Sequence, residues 1–292
     1  MSDFRLDRAV TVGVMKPLSG LRGAMKAMRL PILMYHGIRE GAEDRHPYYE
    51  TNTSPEMFAA HMRYLSENGY RTVGLDELIL ESADVPVCGR KVAITFDDGY
   101  EDFYTHALPI LSTYGFRATL FIVSSFAQHP EKGFSSHRHL DWTEIRELRY
   151  LGHAIGSHTV SHSDLHRIPL ERLEYEIAES KLVIEQETGA SIDSFAYPYA
   201  FPMHDGKFLK ILRAILCRNG YVKGVCTSIG TASPAVDRLF MPRIPVNTYD
   251  DLSLFEAKLS GAYDWLRIAQ SFHKRVGRVR RTLVPLYSHG GG

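Results

Sequence analysis

The chain is poor in features that would mark several broad classes. Three cysteines, Cys88, Cys217 and Cys226, are an odd number and form no CxxC pair, so the thiols are read as reduced and the fold as independent of disulfides. Neither charge sign is in excess, with 34 basic against 34 acidic residues, which argues against a general nucleic-acid binder. No uninterrupted apolar run approaches the roughly 18 residues of a membrane span. The start, MSDFRLDRAV, is charged throughout and has no apolar core of a secretory signal. The expectation is therefore a cytoplasmic protein. There is no internal repeat and no low-complexity tract. What remains is 292 residues with an ordinary apolar fraction of 44%, enough to bury a large core.

The stretch that organises the chain is residues 91–100, KVAITFDDGY. A buried-type strand, VAITF, runs straight into Asp97 and Asp98, and then Gly99. Paired carboxylates repel one another and are costly to desolvate without a cation. Gly99 permits a sharp turn, so both side chains can stay at the strand mouth. The plain alternative is an Asp-Gly turn closing a strand, a common event; the remainder of the chain decides between them.

Short apolar strands alternate with amphipathic helices about seven times between residues 31 and 259. Ser54 reads as a helix N-cap with Pro55 at the first position, and Phe58, Met62 and Leu65 share one face of that helix. The clearest helix, residues 170–187, carries Leu173, Ile177, Leu182 and Ile184 near one face. This order implies an α/β fold with a mainly parallel sheet, and an open doubly wound sheet and a closed barrel both fit it. In either, chemistry sits at the C-terminal strand ends. His36, Asp97, Asp98, His158 and Tyr197-Pro198 all fall at such ends.

Residues 156–165 read GSHTVSHSDL, with His158 and His162 four apart after a strand. Alone, an HxxxH is weak. Two imidazoles and one carboxylate, however, make a three-ligand site with open positions, and nitrogen and oxygen donors without sulfur suit Zn2+ and admit Co2+ or Ni2+.

TFDDGY, then HTVSH about sixty residues later, then FAYPYA together resemble the polysaccharide deacetylases of the NodB-homology group, carbohydrate esterase family 4, over residues 31–260. The resemblance implies a distorted (β/α)7 barrel in a single domain. It also implies removal of acetyl groups from an N-acetylated sugar or glycan with a divalent metal, usually zinc. By position it makes Asp97 the general base, Asp98, His158 and His162 the metal ligands, and Tyr199 the residue whose backbone N–H helps hold the oxyanion. Pro198 would fix the approach to Tyr199, with Tyr197 beside it, and Thr159 and Ser161 would brace the histidine loop.

The pattern departs from the family in three places. The acid histidine that many relatives carry late in the chain has no convincing match, since His289 lies in a glycine-ended tail. Leu33-Met34-Tyr35-His36 instead resembles the permuted branch, which includes poly-N-acetylglucosamine deacetylases, and assigns the acid to His36; a strand-end structural histidine is the alternative. Ala196 stands where an arginine often holds the base, and Arg243 is the replacement candidate, against a helix-facing salt bridge. The usual Asp-Trp motif is not recognisable, leaving Trp142 as a groove candidate or a packed helix aromatic. The expected domain layout is a basic arm over 1–29, containing a helix over 21–29, then the barrel over 30–262 and a basic tail over 263–292. The tail's HKRVGRVRRTLVPLY could touch an anionic membrane surface, which would make the protein peripheral to the inner membrane. Two competing functions stand beside a polymer deacetylase: a deacylase of nucleotide- or lipid-linked sugars, and a non-catalytic carbohydrate-binding protein.

Overall fold

The computed structural model describes residues 5–21, 29–41, 46–80, 90–133, 137–267 and 270. Seven strands close into a barrel: β1 (Ile32–Tyr35), β3 (Arg90–Phe96), β4 (Thr119–Ile122), β5 (Ala154–Ser157), β6 (Ser194–Ala196), β7 (Lys223–Ile229) and β8 (Met241–Pro245). All pairs are parallel, and β1 bonds both β8 and β3, which closes the ring. A three-residue strand, β2 (Tyr70–Thr72), pairs with the start of β3, Arg90 to Val92, before the pairing with β4 begins. The (β/α)7 expectation therefore holds, and closure decides between the two architectures that the element order left open.

Strand periodicity explains the layering. Ile32, Ala93, Phe121, Ala196, Val225 and Met241 form one buried cluster that fills the barrel. The alternate residues Leu33, Ile94, Leu120, Phe195, Cys226 and Ile244 face outward and join the larger core beneath the helices. Gly156 is required inside: a Cβ there would stand 2.7 Å from the Phe121 ring and 2.6 Å from Ser194 Oγ. By the same parity Met34, Thr95 and Arg243 point inward, and the residues just past the strands, His36, Asp97 and His158, continue that inward row at the C-terminal mouth.

The helices follow their sequence signals. Ser54 caps the helix Pro55–Glu67, accepting from Met57 N–H at 3.2 Å, and Phe58, Met62 and Leu65 are buried. Asp141 and Glu144 form a reciprocal capping box on the helix Trp142–Tyr150. In the helix Leu170–Thr188, Leu173, Ile177 and Ile184 are buried, but Leu182 is 48% exposed and off the core face.

The N-terminal residues pack on the barrel. Residues 6–21 are helical, with a π-type turn at Thr11–Met15, and the expected helix over 21–29 falls largely outside the described residues. The segment is tied to the last core helix, Leu252–Leu259, through Arg8 to Asp251 at 2.7 Å and Lys16 to Glu256 at 2.7 Å. Thr11 accepts from Trp265 Nε1 at 2.9 Å. Tyr263 and Leu266 are buried against Ile229 and Leu254, so packing continues past residue 262. The basic stretch 273–287, His289 and Cys88 lie outside the described residues, and among the described helices none is long and apolar enough to cross a membrane.

Candidate active site

Three strand-end turns build the site. Beyond β3, Asp97 N–H donates to Tyr35 O at 3.0 Å. The β1–β3 register sets Tyr35 beside Phe96, so His36 stands level with Asp97. The chain then takes two left-handed residues in succession, Asp98 (φ 70°) and Gly99 (φ 72°). Beyond β5 come Thr159 (φ 73°) and His162 (φ 54°), and beyond β6, Tyr199 (φ 55°). Among the described residues these are the only non-glycine positions with positive φ, and each lies in one of the three motifs. Each costs on the order of 1–3 kcal/mol and persists only where its surroundings hold it.

The turns bring three donors together. Asp98 Oδ1 lies 3.5 Å from His158 Nε2 and 3.3 Å from His162 Nε2. The three donor atoms all fall within 4.8 Å of one another. Asp98 Oδ1 is buried and makes no hydrogen bond there, so a buried anion and two ring nitrogens face one point. His158 Nδ1 lies 2.9 Å from Ala196 O. A carbonyl can only accept, so the proton sits on Nδ1 and Nε2 presents its lone pair to the cluster. Tetrahedral zinc with donors at about 2.1 Å has donor–donor edges of about 3.4 Å, close to the two separations with Asp98. The residues therefore fit a divalent ion of that kind. Burial alone would raise the Asp98 carboxyl, but His158, His36 and His162 hold it well below the usual carboxylate range. Burial, reinforced by His158, pushes His162 down to about 4, which keeps it neutral and able to ligate.

Asp97 turns the other way, into the barrel. Arg243 Nη1 and Nη2 each donate to one of its carboxylate oxygens at 2.6 Å, a bidentate fork. Arg243 is fully buried; Nη1 also reaches Thr95 Oγ1 at 3.2 Å, and Nε donates to Cys226 O at 3.3 Å. Burial would push Asp97 up, but Arg243 and then His158 hold it below its usual value. The fork keeps the carboxylate ionised and aimed, at some cost in basicity. Arg243 thus meets Asp97 from β8, two strands away from the Ala196 position on β6.

These groups open into a cavity of about 560 Å³. His36, Asp97, Asp98, His158, His162, Tyr197 and Tyr199 line it, whereas Pro198 and Trp142 do not. Trp142 begins its helix and packs against the main core, so it is not brought to the cavity. Tyr199 is 53% exposed, with its ring 4.5 Å from that of His162. Part of the wall carries almost no signal in the sequence: Tyr48, Tyr49, Glu50 and Thr51 line the cavity from the loop after β1. Asn247 fixes that loop, its Nδ2 donating to Pro47 O at 2.8 Å and Glu50 O at 3.0 Å. No local pattern marks the loop; only a tyrosine pair in a polar stretch hinted at it. Of the other histidines, His153 Nδ1 accepts from Ala118 N–H at 3.2 Å and His166 pairs with Asp205 at 3.1 Å, both outside the cluster.

A closed (β/α)7 barrel carrying an Asp–His–His cluster beside an arginine-held aspartate at its C-terminal mouth defines a class: α/β barrels whose strand ends gather donors that could hold a divalent ion. Residues 84–219 match the family model described as polysaccharide deacetylase. The chain is 32% identical over 209 residues to YxkH of Bacillus subtilis (strain 168), itself assigned to the polysaccharide deacetylases, covering 71% of this chain and 68% of that protein. It belongs to the polysaccharide deacetylase family. A shorter match, 32% over 100 residues, spans 34% of this chain and 14% of the poly-beta-1,6-N-acetyl-D-glucosamine N-deacetylase of Escherichia coli (strain K12). The fold is shared with the Streptococcus pyogenes deacetylase PplD, solved with acetate (TM-score 0.69, 24% identity, 80% of this chain and 99% of that one). It is also shared with IcaB from Ammonifex degensii (TM-score 0.62, 20% identity, 80% and 97%).

Proposed function

We propose that this protein hydrolyses the N-acetyl group of an amino sugar within a polysaccharide or glycan precursor. The observation that carries the reading is the meeting, in one cavity, of the converging Asp98–His158–His162 donors and an Asp97 clamped by Arg243. A divalent ion held by those three residues would polarise the amide carbonyl and acidify a water.

The chain's own groups divide the remaining work. Asp97 accepts the proton of the attacking water, a contribution of roughly 10²–10⁴-fold. Arg243 keeps Asp97 ionised and fixes its direction. The Tyr199 backbone N–H, on a left-handed turn at the mouth, is offered to the developing oxyanion. His36, level with Asp97 on the neighbouring strand, returns a proton to the leaving amine. Tyr49 and Tyr199, 62% and 53% exposed, give apolar faces on which sugar rings can lie.

The wall chemistry favours a neutral glycan over a nucleotide- or lipid-diphosphate sugar. Among the described residues no lysine or arginine lines the cavity, while Asp97, Asp98 and Glu50 do. The test is acetate release from N-acetylated oligosaccharides and from nucleotide-linked sugars, with and without zinc or chelator. Zinc-dependent release from the oligosaccharide supports the proposal; full activity in chelated, metal-free protein rejects it. Sugar binding without hydrolysis at saturating zinc would revive the non-catalytic alternative.

A further inference from the structure

The loop that carries both histidines holds two left-handed residues, and something other than the histidines must hold it. Glu176 does so from behind. It sits on the helix Leu170–Thr188, three residues after buried Leu173 and next to buried Ile177, where the helix pattern calls for an apolar residue. Its side chain is fully buried. Oε2 accepts the backbone N–H groups of Val160 and of Ser161, both at 2.9 Å. Oε1 accepts the hydroxyls of Ser161 at 2.6 Å and Ser163 at 3.3 Å, and pairs with Arg172 at 2.7 Å. One turn on, Ser180 meets Ser157 at 2.6 Å, so the helix presents a polar stripe to the end of β5. The loop's inner side has a separate brace, since Thr159 Oγ1 accepts His162 N–H at 2.9 Å.

We infer that Glu176 is a positioning residue for the ion site, acting on His162 through the Val160–Ser163 turn; this rests on the deacetylase reading above. The two histidines are not held alike. His158 is fixed by its own ring bond to Ala196 O; His162 lies at the far end of the turn whose Val160 and Ser161 groups Glu176 ties down. Loosening the loop therefore costs the third ligand first. Glu176 touches no donor atom, so its removal leaves the ligand set chemically complete but no longer preorganised.

The experiment is zinc titration of metal-free, full-length protein by competition with a chromogenic chelator, for wild type, Glu176→Gln and Ser161→Ala. Glu176→Gln keeps the volume but cannot accept at both oxygens. It is expected to weaken zinc about 10–100-fold, and Ser161→Ala, which removes one bond to the same carboxylate, to weaken it less. Saturating zinc should restore most of the kcat of Glu176→Gln, because the reacting groups are untouched. A merely structural role would lower Tm and leave zinc affinity unchanged. Wild-type affinity in folded Glu176→Gln, or in Ser161→Ala if the first variant does not fold, overturns the inference. Failure of wild type to bind zinc would instead count against the proposed function.

Discussion

Two buried charge clusters in this molecule have similar ingredients and different endings. Behind the barrel wall, Asp250 is fully buried and every direction around it is answered by protein. Lys258 Nζ donates to it at 2.5 Å, Arg5 Nη1 at 3.2 Å and Asn247 N–H at 3.2 Å. His61 Nε2 bonds Asp250 O at 2.7 Å, and its Nδ1 accepts from Tyr35 OH at 3.2 Å. At the mouth, Asp98 and two imidazoles converge without closing on one another, and the space between them opens into the cavity. A buried charge whose partners are all protein is architecture. One whose donors point at a shared gap is arranged for a ligand. The Asp97–Arg243 pair stands between the cases: closed on the arginine side, open towards the cavity.

If that contrast is right, mutations at the two clusters should separate cleanly. Asp98→Ala or His158→Ala should reduce acetate release by on the order of 10³-fold or more, since several kcal/mol of transition-state stabilisation go with the ion. Asp97→Asn should follow, at roughly 10²–10⁴-fold in kcat with zinc affinity retained. Arg243→Met leaves a buried carboxylate unpaired; it should cost about 3–5 kcal/mol of stability, read by urea denaturation, together with a fall in kcat. Lys258→Met should cost a similar amount of stability while kcat per folded molecule stays near wild type. If Lys258→Met abolished turnover in folded protein, the distinction would fail.

The smallest expected effect is a pH dependence. Burial pushes His61 down to about 4 from an ordinary value of 6.5. Because the folded value is the lower one, the unfolded chain binds the proton more readily. The stability from keeping His61 neutral is therefore complete above pH 6.5 and is lost as pH falls towards 4. The loss is on the order of 3 kcal/mol. His61→Gln should flatten the stability profile across that window, measured as denaturation midpoint against pH.

The sequence made the site more legible than its support. Asp97, the three ligand candidates and Tyr199 lie in three contiguous motifs, and each motif ends a strand whose apolar run is easy to see. The alternation of elements implied the parallel sheet, but closure depends on β1 meeting β3 and β8 at once, which element order does not state. The three-residue strand β2 is too short to show a period. Arg243 was legible only as a candidate, because its bond to Asp97 crosses 146 residues. Glu176 left a readable trace, a charge on an apolar helix face, that is easily taken for a solvated position. The loop carrying Tyr48 and Tyr49 left almost none, since Asn247 fixes it from some 200 residues away.

The central claim is that Asp98, His158 and His162 hold one divalent ion. Equilibrium zinc binding to metal-free protein, by calorimetry, tests it most directly. The account predicts one zinc per chain in wild type and loss of that binding in Asp98→Asn, with the fold retained by circular dichroism. Undiminished zinc binding in folded Asp98→Asn, or none in wild type, would contradict it.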